Sequence, residues 1–497
     1  MAVIPGPANR LRQGSGGQEA GHYERAPFVW ALAYVALFAL VFFKISWSLG
    51  DTYSHLAGPA LSSWHDAFVD AFTARGREYR PFFTLGIKTA YEAAGTWLPF
   101  YQSLVLLLFG ALLTLVVWLC RPVGRPRALA ACVAVSCICG LHTSRILFGF
   151  WPLNHYAAVM VMLLAAIGLA LHPRTRPHDW IFGLLMLVAT LSLEFGILIV
   201  PVLTVLWWFG APGISGRGVT AMLAAVAVYA TIRFTFGDHS GELTLWADSG
   251  FGFQNLDADT LRARFGGAPW VLWTYNVAGT MLTVLFSEPR DGVYSFVESL
   301  LARDMESWQW FQVGSSALTT LVIAAGLVRG WPWKEERRQG VPGDREHDRL
   351  LVVAGCALLV LGSVLSFVYT RDRLGLAGGI GYALLLYVAV GSWPAFAEAT
   401  AGKLARPWER RVVVGVVTVV AALWVTRSAE TWFQLRDTAW DYHVEWTDRF
   451  VELGGAQNPT DLMRELRTTA LSKTPADVRL DPAWTYLLFE RRFHRVP

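Results

Sequence analysis

Apolar and polar residues along this chain sort into long blocks. From residue 28 to 426, apolar runs alternate with short polar segments. A helix needs about 20 apolar residues to cross a bilayer. Runs near that length lie at about 28–47, 99–119, 127–146, 154–171, 218–236, 308–328, 350–369, 374–397 and 411–426. Within them apolar and polar residues do not alternate in twos, so the pattern predicts helices rather than the strands of a membrane barrel. As one helix, the run 180–210 would be about 46 Å long, against a hydrocarbon core of about 30 Å. It is also broken by Glu194 and Gly196. Two short spans meeting at Glu194 follow. The run 268–287 is apolar enough to cross, but crossing would put the charged stretch WKEERRQGVPGDREHDR on the wrong side. Either that segment is re-entrant or surface-lying, which is the favoured expectation, or the run 180–210 is not split at Glu194. The predicted fold is all-α: a polytopic transmembrane helical bundle of about 11–12 spans.

The longest interruption in the first half is 44–97. Loops beyond about 12–15 residues usually carry a site or are disordered. This one has an organised pattern, with Trp64, Phe68 and Phe72 four apart on a helical stripe. TLGIKTAYEAAGTW continues into a second helical stretch. Two amphipathic helices lying on the membrane surface are predicted. Residues 1–25 read as a disordered cytoplasmic tail, residues 26–426 as the transmembrane domain, and 427–497 as a small helical appendage on the far side.

Composition agrees with this pattern. Of 497 residues, 54% are apolar and 16% are charged, the latter below the roughly 25% usual in soluble domains. The formal charge of +4 carries no nucleic-acid signal, because Lys and Arg cluster in short loops such as RPVGRPR and HPRTRPHD. That bias places those loops and the N-terminus on the cytoplasmic side of an integral membrane protein. A bacterial inner (plasma) membrane is the expected setting. The five cysteines form no C-x-x-C pair and read as small apolar-facing thiols.

Ionisable residues at the far ends of the spans carry the candidate chemistry. Asp51 and Tyr79-Arg80-Pro81 come from the first loop, and His142, Arg145 and His155 from the turn between the third and fourth spans. Glu194 sits at the next hairpin, and Arg371, Asp372 and Arg373 at a late turn. Ionisable groups at membrane depth must find a partner or neutralise. Arginines suit phosphate, and a carboxylate suits the proton of an attacking hydroxyl. Each has a plain structural alternative. Asp51 is a favourable helix cap, Arg80 can snorkel, and His142 and His155 can be satisfied helix-end histidines. The pattern requires no cofactor. His55 with Asp51 supplies only two ligands for a divalent cation, too few to define a site.

These residues carry a resemblance. An Asp closes the first span, and a long loop follows. YRP-F precedes the next span, and LH-x-x-R occupies a short turn. LSLEFG-x-x-x-x-P stands between two short helices, and a late span starts at an Arg-rich turn. In arrangement over roughly residues 28–240, the chain resembles the GT-C class of polytopic glycosyltransferases, which includes protein O-mannosyltransferases and bacterial transferases using polyprenyl-phosphate sugars. The resemblance implies a polyprenyl-phosphate sugar donor among the membrane lipids and a glycan, lipid or protein acceptor. It also implies inverting transfer on the extracytoplasmic side. By position, Asp51 matches the catalytic base, and Arg80, His142 and Glu194 match residues that shape the site. Many relatives have two adjacent acids in the first loop, whereas here Gly50 and Thr52 flank a lone Asp51. An envelope oligosaccharide polymerase or ligase, and a lipid or sugar transporter, are the rival expectations.

Overall fold

The structure is a computed structural model. It describes residues 16–45, 62–73, 79–95, 97–149, 153–173, 179–236, 258–286, 292–330, 342–368, 370, 372–391 and 407–452. The regular elements among them are all helical. In chain order they are α1 (Gly16–Phe42), α2 (Trp64–Thr73), α3 (Pro81–Ala94), α4 (Leu98–Cys120), α5 (Arg125–Gly140), α6 (His155–Leu171), α7 (Trp180–Ser192), α8 (Ile199–Trp208) and α9 (Gly216–Phe236). After these come α10 (Ala258–Phe265), α11 (Pro269–Phe286), α12 (Gly292–Ala302), α13 (Ser307–Gly330), α14 (Pro342–Val364), α15 (Leu376–Gly391) and α16 (Pro407–Glu452). Short 3-10 turns occupy His142–Phe148, Glu194–Leu198 and Asp372–Gly375.

Six helices among the described residues are long and apolar enough to cross a membrane, or seven if α5 and the bent 142–148 turn count as one. The larger number expected from the sequence included α6, α7, α8 and α15. These are apolar but shorter, at 17, 13, 10 and 16 residues. α15 tolerates its length because every one of its residues is buried by protein. It packs on α14, α5 and α13, and α5 also packs on α1 and α16.

Local sequence explains the ends. Pro81, Pro99 and Pro126 sit in the first turns of α3, α4 and α5, where a missing N–H costs nothing. Asn154 caps α6 by accepting from Ala157 N–H. Its amide donates to the carbonyls of Ile146, Leu147 and Gly149 and so ties the 142–148 turn to the helix start. Ser63 caps α2, accepting from Asp66 N–H and donating to the Asp66 carboxylate. That bond holds the Asp66 carboxyl below the ordinary range.

Contacts assign the helix ends to two faces. On one, Asp179 accepts from Ser215, which places the start of α7 beside the start of α9. The Arg127–Asp348 ion pair, the His347 contact with the Leu119 carbonyl and the Arg349 bond to the Phe209 carbonyl lie on this same face. The other face holds Glu194, α2 and α3, and the 142–148 and 372–375 turns. The segment 268–287 forms α11, which starts on the Glu194 face. In α11, Asn276 bonds the Phe367 carbonyl near that face, and the Leu285 carbonyl reaches Thr320 deep in α13. α12 then returns alongside, with Tyr294 stacked on Tyr275 at 4.0 Å. Among the described residues α13 is long and apolar enough to cross a membrane, and α11 is not among the helices that are.

Three boundaries differ from expectation. The tail expected to be disordered through residue 25 is helical from Gly16. The third span stops at Gly140, where the chain bends by 76° into the 142–148 turn. The appendage expected from 427 is not separate, because α16 runs unbroken from Pro407 to Glu452. Arg427 is 1% exposed and donates to the Gln312 carbonyl and to Ser315 and Ser316. Its guanidinium also lies over the Trp424 ring. A polar residue that satisfies itself on a neighbouring helix does not end a span. Residues 453–497 lie outside the described set.

Candidate functional site

The site is built on the break between α7 and α8. Leu193 is extended (φ −159°, ψ 135°), and its N–H still bonds the Ala189 carbonyl. The chain then folds back so tightly that a Cβ on Gly196 would stand 2.4 Å from the Ala189 carbonyl carbon. Only glycine fits there, and the reversal leaves Glu194 at the apex.

Two segments close on that carboxylate. Tyr79 N–H donates to Glu194 Oε1 at 3.2 Å, and Arg80 Nε donates to Oε2 at 3.1 Å. Pro81 begins α3 directly afterwards, so the first loop is fastened to the hairpin at the point where its second surface helix starts. From α9, Arg233 Nη1 stands 3.8 Å from Glu194 Oε1 and donates to the Tyr229 hydroxyl at 2.6 Å. Tyr79 is buried in an apolar sleeve of Leu191, Tyr229, Phe72, Leu187 and Ile232. Burial holds its phenol above the ordinary value, so it stays protonated.

Two further groups flank this centre. His155, the buried first residue of α6, has its ring 4.4 Å from Phe83 of α3. His142 and Arg145 belong to the 142–148 turn, which packs on the 372–375 turn, with Thr143 against Gly375. The bend that presents the 142–148 turn is held from behind. A Cβ on Gly140 would come within 2.9 Å of Arg427 Cβ, and Ser428 donates to the Ser136 carbonyl.

The structure thus joins Tyr79, Arg80 and Glu194 directly. It brings His155 onto the helix that Arg80 begins, and it brings the turn bearing His142 and Arg145 onto the backbone that carries Arg373. Asp51, His55 and Arg371 lie outside the described residues, as does the Arg373 side chain. Before Asp51 the description ends at Ile45, whose carbonyl, with that of Phe42, accepts from Gln102 of α4. No group of three or more His, Cys, Asp or Glu among the described residues could hold a metal ion.

Sequence reasoning missed Tyr229 and Arg233. They sit one turn apart at the end of an apolar run, and the only signal is the single arginine in YATIRFTF. It also missed the two surface helices' anchor. Lys88 is buried, donates to the Ser62 carbonyl, pairs with Glu92 and lies 5.7 Å over the Trp64 ring.

No protein-family model matches the chain. No curated protein matches it either.

Proposed function

We propose that the chain is an integral-membrane glycosyltransferase of GT-C type that moves a sugar from a polyprenyl-phosphate donor to a hydroxyl acceptor. One observation carries the reading. Arg80 and the Tyr79 N–H grip Glu194, so the start of α3 is held against the α7–α8 break. In this reading the Glu194 face is extracytoplasmic, the N-terminus is cytoplasmic, and the membrane is a bacterial plasma membrane.

The step follows from the residue types. The acceptor oxygen attacks the anomeric carbon from the side opposite the phosphate, and Asp51 takes the hydroxyl proton. The bond between the anomeric carbon and the phosphate oxygen breaks, and its electron pair leaves on polyprenyl phosphate. The configuration inverts. Arg371 or Arg373 stabilises the departing phosphate, while Arg80, His142, Arg145, His155 and Glu194 shape the cavity. General-base assistance of this kind is worth about 10²- to 10⁴-fold in rate. The test is release of polyprenyl phosphate from radiolabelled polyprenyl-phosphate sugars by the purified protein. Asp51→Asn is expected to abolish release while leaving expression and donor binding intact.

A second reading, a lipid or sugar carrier, is favoured by the 76° break after α5, since broken helices are frequent in transporters. Protein in vesicles that moves a polyprenyl-phosphate sugar between leaflets, with donor intact and independent of Asp51, would favour the carrier.

A further inference from the structure

Where α11 meets the end of α14, a group of neutral oxygens is shut away from solvent. Asn276 and Thr280 are both buried and lie four apart on α11, which makes their side chains neighbours on one face. Both reach the stretch that follows α14. The Asn276 amide donates to the Phe367 carbonyl at 2.9 Å. The Thr280 hydroxyl meets the Ser366 hydroxyl at 2.8 Å and also meets that of Thr370. Ser366 Oγ lies 2.6 Å from the Ser363 carbonyl oxygen. Four oxygens from two sides of a helix interface therefore follow one another in contact, and Asn276, Thr280, Ser363, Ser366 and Thr370 are none of them more than 1% exposed.

Hydroxyls between packed helices often serve only to join them. Three observations go further here. Asn276 Oδ1 is a fifth buried oxygen with no donor among the described residues. The amide nitrogen has to face the Phe367 carbonyl, so the oxygen cannot trade places with it. Ser366 has one proton for two acceptors, Thr280 Oγ1 and the Ser363 carbonyl, so lone pairs outnumber protons. Finally, α14 ends at Val364, and the chain tightens there, with Ser366 N–H bonded to the Ser363 carbonyl and Phe367 N–H to that of Val364. The negative end of the helix dipole therefore stands at the cluster.

A surplus of acceptor oxygens beside a helix C-terminus suits a cation that brings no protons. Hydroxyl, amide and carbonyl oxygens can replace the hydration shell of an alkali ion. The described donors carry no formal charge, which suits one positive charge better than two, because divalent ions draw on carboxylates. The close spacing of the oxygens favours the smaller sodium ion over potassium. We propose that Asn276, Thr280, Ser363, Ser366 and Thr370 form a binding site for a dehydrated sodium ion that ties the end of α14 to α11. The stretch so fixed leads into the 372–375 turn, which packs on the turn bearing His142 and Arg145. The ion is structural, and the proposal stands whether the chain is a transferase or a carrier.

The test uses the purified full-length protein in detergent, exchanged into choline chloride. Retention of radiosodium is measured, and thermal unfolding is followed as sodium, potassium or choline chloride is varied at constant ionic strength. The parent is expected to retain radiosodium that unlabelled sodium displaces and choline does not. Its melting temperature should rise with sodium and level off as the site fills. Thr280→Val keeps the shape and removes one oxygen of α11, and Ser366→Ala removes one from the α14 side. Each is expected to weaken sodium binding about tenfold, the scale of one contact to a charged group. A variant that melts lower in choline still reports on the site, because the readout is the dependence on sodium. Potassium acting as strongly as sodium would support the site and mark it as unselective among alkali ions. Equal shifts with sodium, potassium and choline would overturn the proposal and leave the oxygens to a buried water. Failure of the parent to retain radiosodium, or parent-like sodium affinity in either variant, would overturn it as well.

Discussion

Arg80 and Glu194 are 114 positions apart in sequence, and the Arg80 Nε stands 3.1 Å from a Glu194 oxygen. The pair couples the start of a surface helix to the apex of a membrane hairpin. Both side chains are partly exposed, at 16% and 33%, so solvent screens part of their attraction. Arg80→Met and Glu194→Gln are each expected to cost about 1–2 kcal/mol, between the ranges for exposed and buried pairs. Thermal unfolding in detergent measures this. The double variant should lose less than the sum of the two, and strict additivity would show that the pair does not couple the segments.

Two glycines set the backbone of the site. Gly196→Ala puts a Cβ 2.4 Å from backbone atoms that cannot yield, and Gly140→Ala meets Arg427 Cβ at 2.9 Å. Overpacking of this kind costs about 1–3 kcal/mol, and Gly196→Ala should lie at the upper end. Folded yield and melting temperature are the readouts. A neutral Gly196→Ala would mean the α7–α8 reversal is looser than described.

Tyr79 gives a pH dependence of defined sign. Its pKa is raised by burial, so the folded state holds the proton more tightly than the unfolded state. The stabilisation is fully present below the unfolded value of about 10 and is lost as pH rises through the folded value. As pH rises above about 10, the parent should therefore lose stability faster than Tyr79→Phe. Parallel stability curves over that window would contradict the burial of this phenol.

The expected re-entry of segment 268–287 makes a topological prediction. Asp66, Asp304 and Arg217 are exposed. In a cysteine-free background, Asp66→Cys and Asp304→Cys should react with a membrane-impermeant maleimide from one side. Arg217→Cys should react only from the other. Labelling of Asp304→Cys together with Arg217→Cys would mean that the segment 268–287 crosses the membrane.

Much of this arrangement was legible in the chain because it follows from bilayer thickness. The split at Glu194 came from a run too long for one crossing and a carboxylate too costly to face lipid. What was not legible depends on partners distant in sequence. Arg233 looked like the end of a span until the α7–α8 reversal placed Glu194 beside it. Arg427 and Ser428 looked like the edge of the membrane, yet their polar atoms are satisfied by Gln312, Ser315, Ser316 and Ser136. Periodicity reports which positions are apolar, but it does not report which polar positions will find each other.

The central claim is transfer from a lipid-linked sugar with a first-loop acid as base. Its most direct measurement is time-resolved release of polyprenyl phosphate from a panel of polyprenyl-phosphate sugars, comparing the parent with Asp51→Asn in the same membranes. The account predicts release with at least one donor, inversion at the anomeric carbon of the product, and a loss of at least about 10²-fold in Asp51→Asn at unchanged donor affinity. Parent-like release by Asp51→Asn, or intact donor with every sugar tested, would contradict it.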